Sequence, residues 1–189
     1  PNFYVPSVPM LLVNGSNGIA TGYRTFIPGY NPQDICAMVR AEMEGSSVVD
    51  PVPYYRGYQA NHLTQVDSTH WVFRGICCPA PNRTWVIQEL PIGVSIQNYK
   101  TRVLRPLIEK GVLTDVKIEH VDENTPRFVV KFRDELGSAT VFDMLKLENK
   151  ISRLNMVALD ATGTVKKYWH PREIINDWLV IRKNFTERR

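Results

Sequence analysis

The residue pattern predicts an α/β (α+β) fold, a mixed and largely antiparallel sheet with packed helices, ending in the root of a coiled-coil helix. Three observations carry this. Short β-rich runs recur between turn residues, as over 71–76, 84–90 and 127–133. Helical 3,4 spacing of apolar residues appears behind Asn31, Ser95 and Pro171, each a residue that starts helices. At 189 residues, 43% hydrophobic and 22% charged, the chain holds enough apolar area to offset the ordering entropy of one or two domains.

Residues 1–13 read as an extended lead-in with Pro6 and Pro9, running into an apolar strand over 10–13. Gly15, Gly18 and Gly22 then predict a stretch without a long regular element, whose backbone can approach a neighbour closely. Asn31 caps a helix with Pro32 at its first position and Asp34 in its first turn; Ile35, Met38, Val39 and Met43 form its buried face, and Gly45 and Ser46 end it. Residues 48–60 are a Pro-rich, aromatic loop or edge segment. Across 63–90 the β runs are separated by Pro79 and Pro81. Ser95 caps a helix to about Lys110 with Ile96, Tyr99, Val103 and Leu107 on one face. Pro106 predicts a kink or a break in it, and Gly111 stops it. Strands follow over 115–121 and 127–133. In the second, Phe128, Val130 and Phe132 alternate with Arg127, Val129, Lys131 and Arg133, so one face is buried and the other mostly basic. Residues 155–160 and 164–169 flank an Ala161-Thr162-Gly163 turn and predict a hairpin. Pro171 opens a last helix with the stripe Ile174, Trp178, Ile181 and Phe185.

The net charge of +4 is that of many ordinary soluble proteins, but the distribution is uneven: 30–53 is acidic or neutral apart from Arg40, and 182–189 is basic. A polyanion partner fits this without being required by it. No apolar run approaches the ~20 residues of a membrane helix. Cys36, Cys77 and Cys78 form no Cys-x-x-Cys pair, which argues against a disulfide scaffold and a zinc site and fits a reducing compartment; the vicinal pair is expected to be buried and inert. His62, His70, His120 and His170 lack metal-ligand spacing. No Ser/His/Asp set or catalytic carboxylate pair is present. The glycine stretch is neither a Walker A loop nor Gly-x-Gly-x-x-Gly, so nucleotide binding has little support. Two readings of it stay open: a tight turn packed under a sheet, or a rigid loop presenting Ile19, an apolar residue of the type that wedges between base pairs. A chain beginning at Pro1 without a signal-type segment is expected to be a piece or processed product of a longer protein.

Val13-Asn14-Gly15-Ser16-Asn17-Gly18-Ile19-Ala20-Thr21-Gly22, with Ile27-Pro28 and Tyr30-Asn31-Pro32 behind it, resembles the stretch of type IIA DNA topoisomerases that follows their catalytic winged-helix domain. Tyr55-Arg56-Gly57-Tyr58, Gln88-Glu89-Leu90-Pro91, Asn155-Met156-Val157 and Lys166-Lys167-Tyr168 extend the resemblance along the chain, and Ile181-Arg182-Lys183 is similar to the start of the family's coiled-coil arm. Ala20-Thr21-Gly22-Tyr23 and the segments 107–111 and 181–185 look most like the DNA-cleaving subunit of T-even-type bacteriophage enzymes, with large eukaryotic viruses as the other source.

The resemblance implies a tower (shoulder) domain over 1–170 and the start of the coiled-coil arm over 171–189. It implies part of an ATP-hydrolysing type II topoisomerase that passes one duplex through a tyrosyl-linked break in another. The family's nucleophile is a Tyr preceded by Arg. None of the eight tyrosines here follows an Arg, so no catalytic residue and no cofactor are expected in this chain, with Mg²⁺ and ATP belonging to the whole enzyme. Ile19 matches the family's intercalating isoleucine, and Arg24 would lie near the same DNA. Lys100 and Arg102 on one helix, and Lys131 and Arg133 on one strand face, are the candidates for phosphate contact. The implied partners are double-stranded DNA and the remaining topoisomerase domains or subunits, with no membrane. The chain alone is expected to be a monomer, and the whole enzyme to be dimeric or multi-subunit. Its place is intracellular, in the host cell cytoplasm if phage-encoded. The alternative function is a structural spacer between DNA gate and exit gate with little DNA affinity of its own.

Overall fold

A computed structural model of the chain describes residues 5–47, 49–59, 63–122 and 125–188. In chain order, α1 (Met10–Asn14) leads into β1 (Ser16–Ala20), β2 (Tyr23–Ile27) and α2 (Pro32–Glu44). Strands β3 (Leu63–Asp67), β4 (His70–Arg74), β5 (Ile76–Ala80) and β6 (Thr84–Glu89) come next. Then follow α3 (Ile96–Tyr99), a π-helical turn over Lys100–Leu104, α4 (Arg105–Glu109), β7 (Leu113–Asp122), β8 (Thr125–Phe132) and α5 (Ser138–Met144). The chain closes with β9 (Glu148–Ser152), β10 (Met156–Leu159), β11 (Val165–Tyr168) and α6 (Pro171–Glu187). The sheets are ordered β1-β2, β10-β11, β3-β4-β9 and β5-β6-β8-β7. Pairing is antiparallel in β1-β2, β10-β11, β3-β4 and throughout the four-stranded sheet. The mixed α/β fold with antiparallel sheets is the one the sequence predicts.

Two compact units divide the chain: 1–56 with 152–189, and 57–151. The first is built on α2 and α6. Asn31 caps α2 by accepting a hydrogen bond from the Gln33 amide at 2.9 Å, and Gly45 ends it in the left-handed conformation. Ile35, Met38 and Ala41 are its buried residues; these three-residue steps carry the stripe away from Met43, which is exposed rather than buried as expected. On α6, Pro171, Ile174, Ile175 and Leu179 are buried. Trp178 and Ile181 of the expected stripe are half-buried and Phe185 is exposed, because the helix runs past the elements that cover its first turns. Leu12, Ile27, Tyr30, Met156 and Tyr168 complete this core. Arg172 pairs with Glu42 across α2 and α6 at 2.6 Å.

Two expectations in this unit are corrected. Residues 10–13 are helical, with the Leu12 amide donating to the Pro9 carbonyl and Leu12 fully buried. A four-residue apolar run has no period to separate a strand from a buried helical turn, and burial decides. The glycine stretch is a regular hairpin: β1 and β2 pair from Ser16↔Ile27 to Ala20↔Tyr23 around a Thr21-Gly22 turn. Gly15 is where glycine is needed. Its φ of 69° and ψ of 178° lie in a region almost closed to other residues, and a Cβ there would sit 2.7 Å from the Ile27 carbonyl oxygen.

The second unit packs helices on one face of the β5-β6-β8-β7 sheet. Phe128, Val130 and Phe132 point into a core with Trp85, Ile87, Tyr99, Leu104, Val141 and Leu145, as their alternation predicts. The Tyr99 hydroxyl donates to the buried Leu145 carbonyl at 2.8 Å. Ser95 caps α3. Pro106 does not break the helix that follows. The π-helical turn directly before it, closed by the Arg105 amide on the Lys100 carbonyl, widens the backbone where the proline ring would otherwise crowd it. Gly75 ends β4 and a new strand starts at Ile76, so the run expected over 71–76 is two strands. Pro79 lies inside β5 rather than between strands, which the sheet tolerates because β5 is at its edge. Helix α5 carries no start signal legible in the sequence; Gly137 stands at its N-cap without a side-chain bond.

Candidate nucleic-acid interface

The β1–β2 hairpin leaves its far end bare. Ile19 is 83% exposed and pairs across the ribbon with exposed Arg24. Tyr23, beside the turn, is 67% exposed. Ile19 therefore contributes nothing to the core, which removes the packed-turn alternative left open by the sequence. Among the described residues Arg24 has no carboxylate partner, so its charge faces solvent. Gly22 takes a φ of +80° and closes the two-residue turn.

The base of the hairpin is anchored. Ile27 is buried, and the Phe26 amide donates to the Asn155 carbonyl at 2.9 Å. The Thr25 hydroxyl donates to the Val157 carbonyl at 2.6 Å and accepts from the Val157 amide at 3.2 Å. Thr25 anchors the hairpin that carries Ile19, and nothing local in the sequence marks it: a threonine in a strand is ordinary, and its partner lies 132 positions away. On β10–β11, Leu159 and Val165 are a cross-strand pair, both exposed. Lys167 stands over the Trp169 ring at 4.1 Å. Lys166 turns the other way, to Asp177 at 2.9 Å, and its pKa is raised by that hydrogen bond.

The other four candidates lie in the second unit, where the sheet separates them. Lys100, half-buried, and Arg102, exposed, ride on the π-helical turn, whose last residue Leu104 covers the Phe128 face together with Tyr99. Lys131 projects from the opposite face of β8, opposite Thr84 and Asp115. Arg133 lies one residue beyond β8, its amide bonded to the Val112 carbonyl and its guanidinium lying over Gly111. Arg127, on the Lys131 face, is 3.7 Å from Glu119. The structure thus brings Ile19 and Arg24 together, and sets Lys131 on the side of the sheet opposite Lys100 and Arg102.

Burial pushes the Cys77 thiol up to about 12, which keeps it protonated at neutral pH. Cys78 is exposed, correcting the expectation that both are buried: successive residues of a strand face opposite ways. Among the described residues no group of three His, Cys, Asp or Glu side chains could hold a metal ion, and no helix is long and apolar enough to cross a membrane. His62, the side chain of His120 and residues 1–4 lie outside the described residues.

A bare hairpin carried on an α/β body defines a domain built to present an apolar tip. The chain belongs to the DNA gyrase/topoisomerase IV A-subunit family, whose sequence profile matches residues 1–189. It is 34% identical over 194 residues to DNA topoisomerase 2 of Meyerozyma guilliermondii, covering 100% of this chain and 14% of that protein. To DNA topoisomerase 2-alpha of Mus musculus it is 30% identical over 194 residues, covering 98% of this chain and 13% of the relative. The crystal structure of the Plasmodium falciparum topoisomerase II DNA-binding, cleavage and re-ligation domain matches with a TM-score of 0.87 at 28% identity, over 96% of this chain and 25% of that one. The chain spans about one-seventh of the curated relatives' length. These relatives are eukaryotic and do not support a bacteriophage or viral type.

Proposed function

We propose that this chain is the DNA-binding and DNA-bending central part of a type IIA topoisomerase, with 1–170 as its tower domain and 171–189 as the start of the coiled-coil arm. The observation that supports it is Ile19, 83% exposed on an anchored hairpin beside the open charge of Arg24. Parting stacked bases takes a few kcal/mol, offset by the phosphate contacts that a bent duplex gains. Arg24, Lys100, Arg102, Lys131 and Arg133 are the proposed phosphate contacts. Because Lys131 and the helix pair Lys100 and Arg102 lie on opposite sides of one sheet, a single straight duplex would not meet all of them. In the whole enzyme the reaction is ATP-driven passage of one duplex through a break in another, with Mg²⁺, ATP and the nucleophilic Tyr held by other parts of the protein inside the cell. The eukaryotic relatives favour a eukaryotic-type enzyme; a viral or phage source rests on the sequence likeness at 20–23, 107–111 and 181–185 alone.

The test is binding and bending of a short duplex. Log K should fall steeply with log salt, and the ends of the bound duplex should approach each other by FRET. Ile19→Ala should abolish most of the bend while changing stability by no more than ~0.5 kcal/mol, as expected for an exposed position. Salt-insensitive, negligible binding would favour the spacer reading. Normal bending by Ile19→Ala would overturn the wedge role.

A further inference from the structure

A two-stranded ribbon is marginal on its own in water. A side chain that parts stacked bases must nonetheless hold its position while the bases resist. The β1–β2 ribbon is steadied at its base by Ile27 and along β2 by β10, but among the described residues no regular ladder joins β2 to β10. One main-chain bond, from the Phe26 amide to the Asn155 carbonyl, is followed by a side chain that takes the ladder's place. The Thr25 hydroxyl meets both main-chain groups of Val157, at 2.6 Å and 3.2 Å, and stands 3.5 Å from the Asn155 carbonyl. Strand β10 is a firm support: it pairs with β11 along its length, and Met156 and Tyr168 are buried in the core with α6. The other branch of Thr25 faces β1, where a Cβ on Gly18, its cross-strand partner, would meet the Thr25 methyl at 3.7 Å. Threonine is stiff about χ1, so holding the hydroxyl on Val157 also fixes the methyl over Gly18. The adjacent cross-strand pair is Ile19↔Arg24.

We infer that Thr25 is a positioning residue that clamps the Ile19 hairpin to the β10–β11 hairpin and so makes the ribbon rigid enough to bend DNA. This rests on the proposed wedge role of Ile19. Thr25→Val keeps the shape and removes the hydroxyl, leaving both groups of Val157 without it; Thr25→Ser keeps the hydroxyl. In the intact protein, amide exchange across β1–β2 should speed up roughly tenfold in Thr25→Val, with the amides of β8 unchanged. Thr25→Ser should restore most of the protection. With a FRET-labelled duplex, Thr25→Val should bind with an unchanged salt slope but bend no more than Ile19→Ala does. The double variant should bend like Ile19→Ala alone, since both changes disable one device. Unchanged hairpin exchange in Thr25→Val, or normal bending by it, would overturn the clamp while leaving Ile19 as the wedge. A wild-type protein that leaves the duplex straight would overturn the wedge and the role of Thr25 with it, whatever the exchange shows.

Discussion

Lys146, one residue past the Leu145 C-cap of α5, is a non-glycine residue held at a φ of 48°. Its amide donates to the Asp143 carbonyl and that of Leu147 to the Phe142 carbonyl, the double bond pattern with which helices often end on a left-handed residue. A lysine there carries a steric cost that glycine avoids. Lys146→Gly should therefore stabilise the protein by about 1 kcal/mol, read as a higher urea midpoint with an unchanged slope. An equal or lower midpoint would show that the Lys146 side chain contributes more than its backbone costs.

Among the elements, the β10–β11 hairpin depends on a charged turn. The Asp160 carboxylate accepts from the Thr162 amide and hydroxyl and from the Thr164 amide, at 2.7–3.0 Å. The hydrogen bond from the Thr162 hydroxyl and those from the two amides hold its pKa below the usual carboxylate value. With the folded value depressed, the turn's contribution is fully present above the unfolded value of about 4 and is lost as pH falls through the folded one. Acid titration by NMR should show the Thr162 and Thr164 amides moving together below about pH 4, and Asp160→Asn should remove that transition. Thr164 amide shifts that stay flat through the same range would count against the turn's dependence on charge. The same hairpin supports Thr25, so loosening it should also reduce DNA bending.

At the scale of the whole molecule, the first compact unit is made from both ends of the sequence, and the second is a continuous insertion between them. The chain alone should neither relax supercoiled plasmid with Mg²⁺ and ATP nor become covalently attached to it, because no Tyr here follows an Arg. A covalent adduct on denaturing gels would overturn the proposed division of labour. It should also sediment as a monomer at tens of micromolar, since the first turns of α6 bury Ile174, Ile175 and Leu179 within their own unit.

Local signals were legible wherever the physics is local. The Asn31-Pro32 start of α2, the Ser95 cap, the alternation of Phe128, Val130 and Phe132 and the hairpin around Gly163 each depend on residues a few positions apart, and the family resemblance was carried by such stretches. The four residues after Pro9, the passage through Pro106, the start of α5 and the exposure of Met43 and Cys78 were not legible, because the surrounding packing decides them.

By itself the sequence determined the α/β class, the family, the caps and most of the strands, because capping, side-chain alternation and turn chemistry are fixed by bonds and sterics within a few residues. It named Ile19 and Arg24 as candidates but left open whether that isoleucine faces the core or the solvent. Only the tertiary structure decided this: burial is a property of what the rest of the chain covers, and none of the described residues covers Ile19. The tertiary structure also set Lys131 across the sheet from Lys100 and Arg102. It joined Thr25 to Val157 as well, since a hydrogen bond between residues 132 positions apart exists only once the two hairpins have been brought side by side.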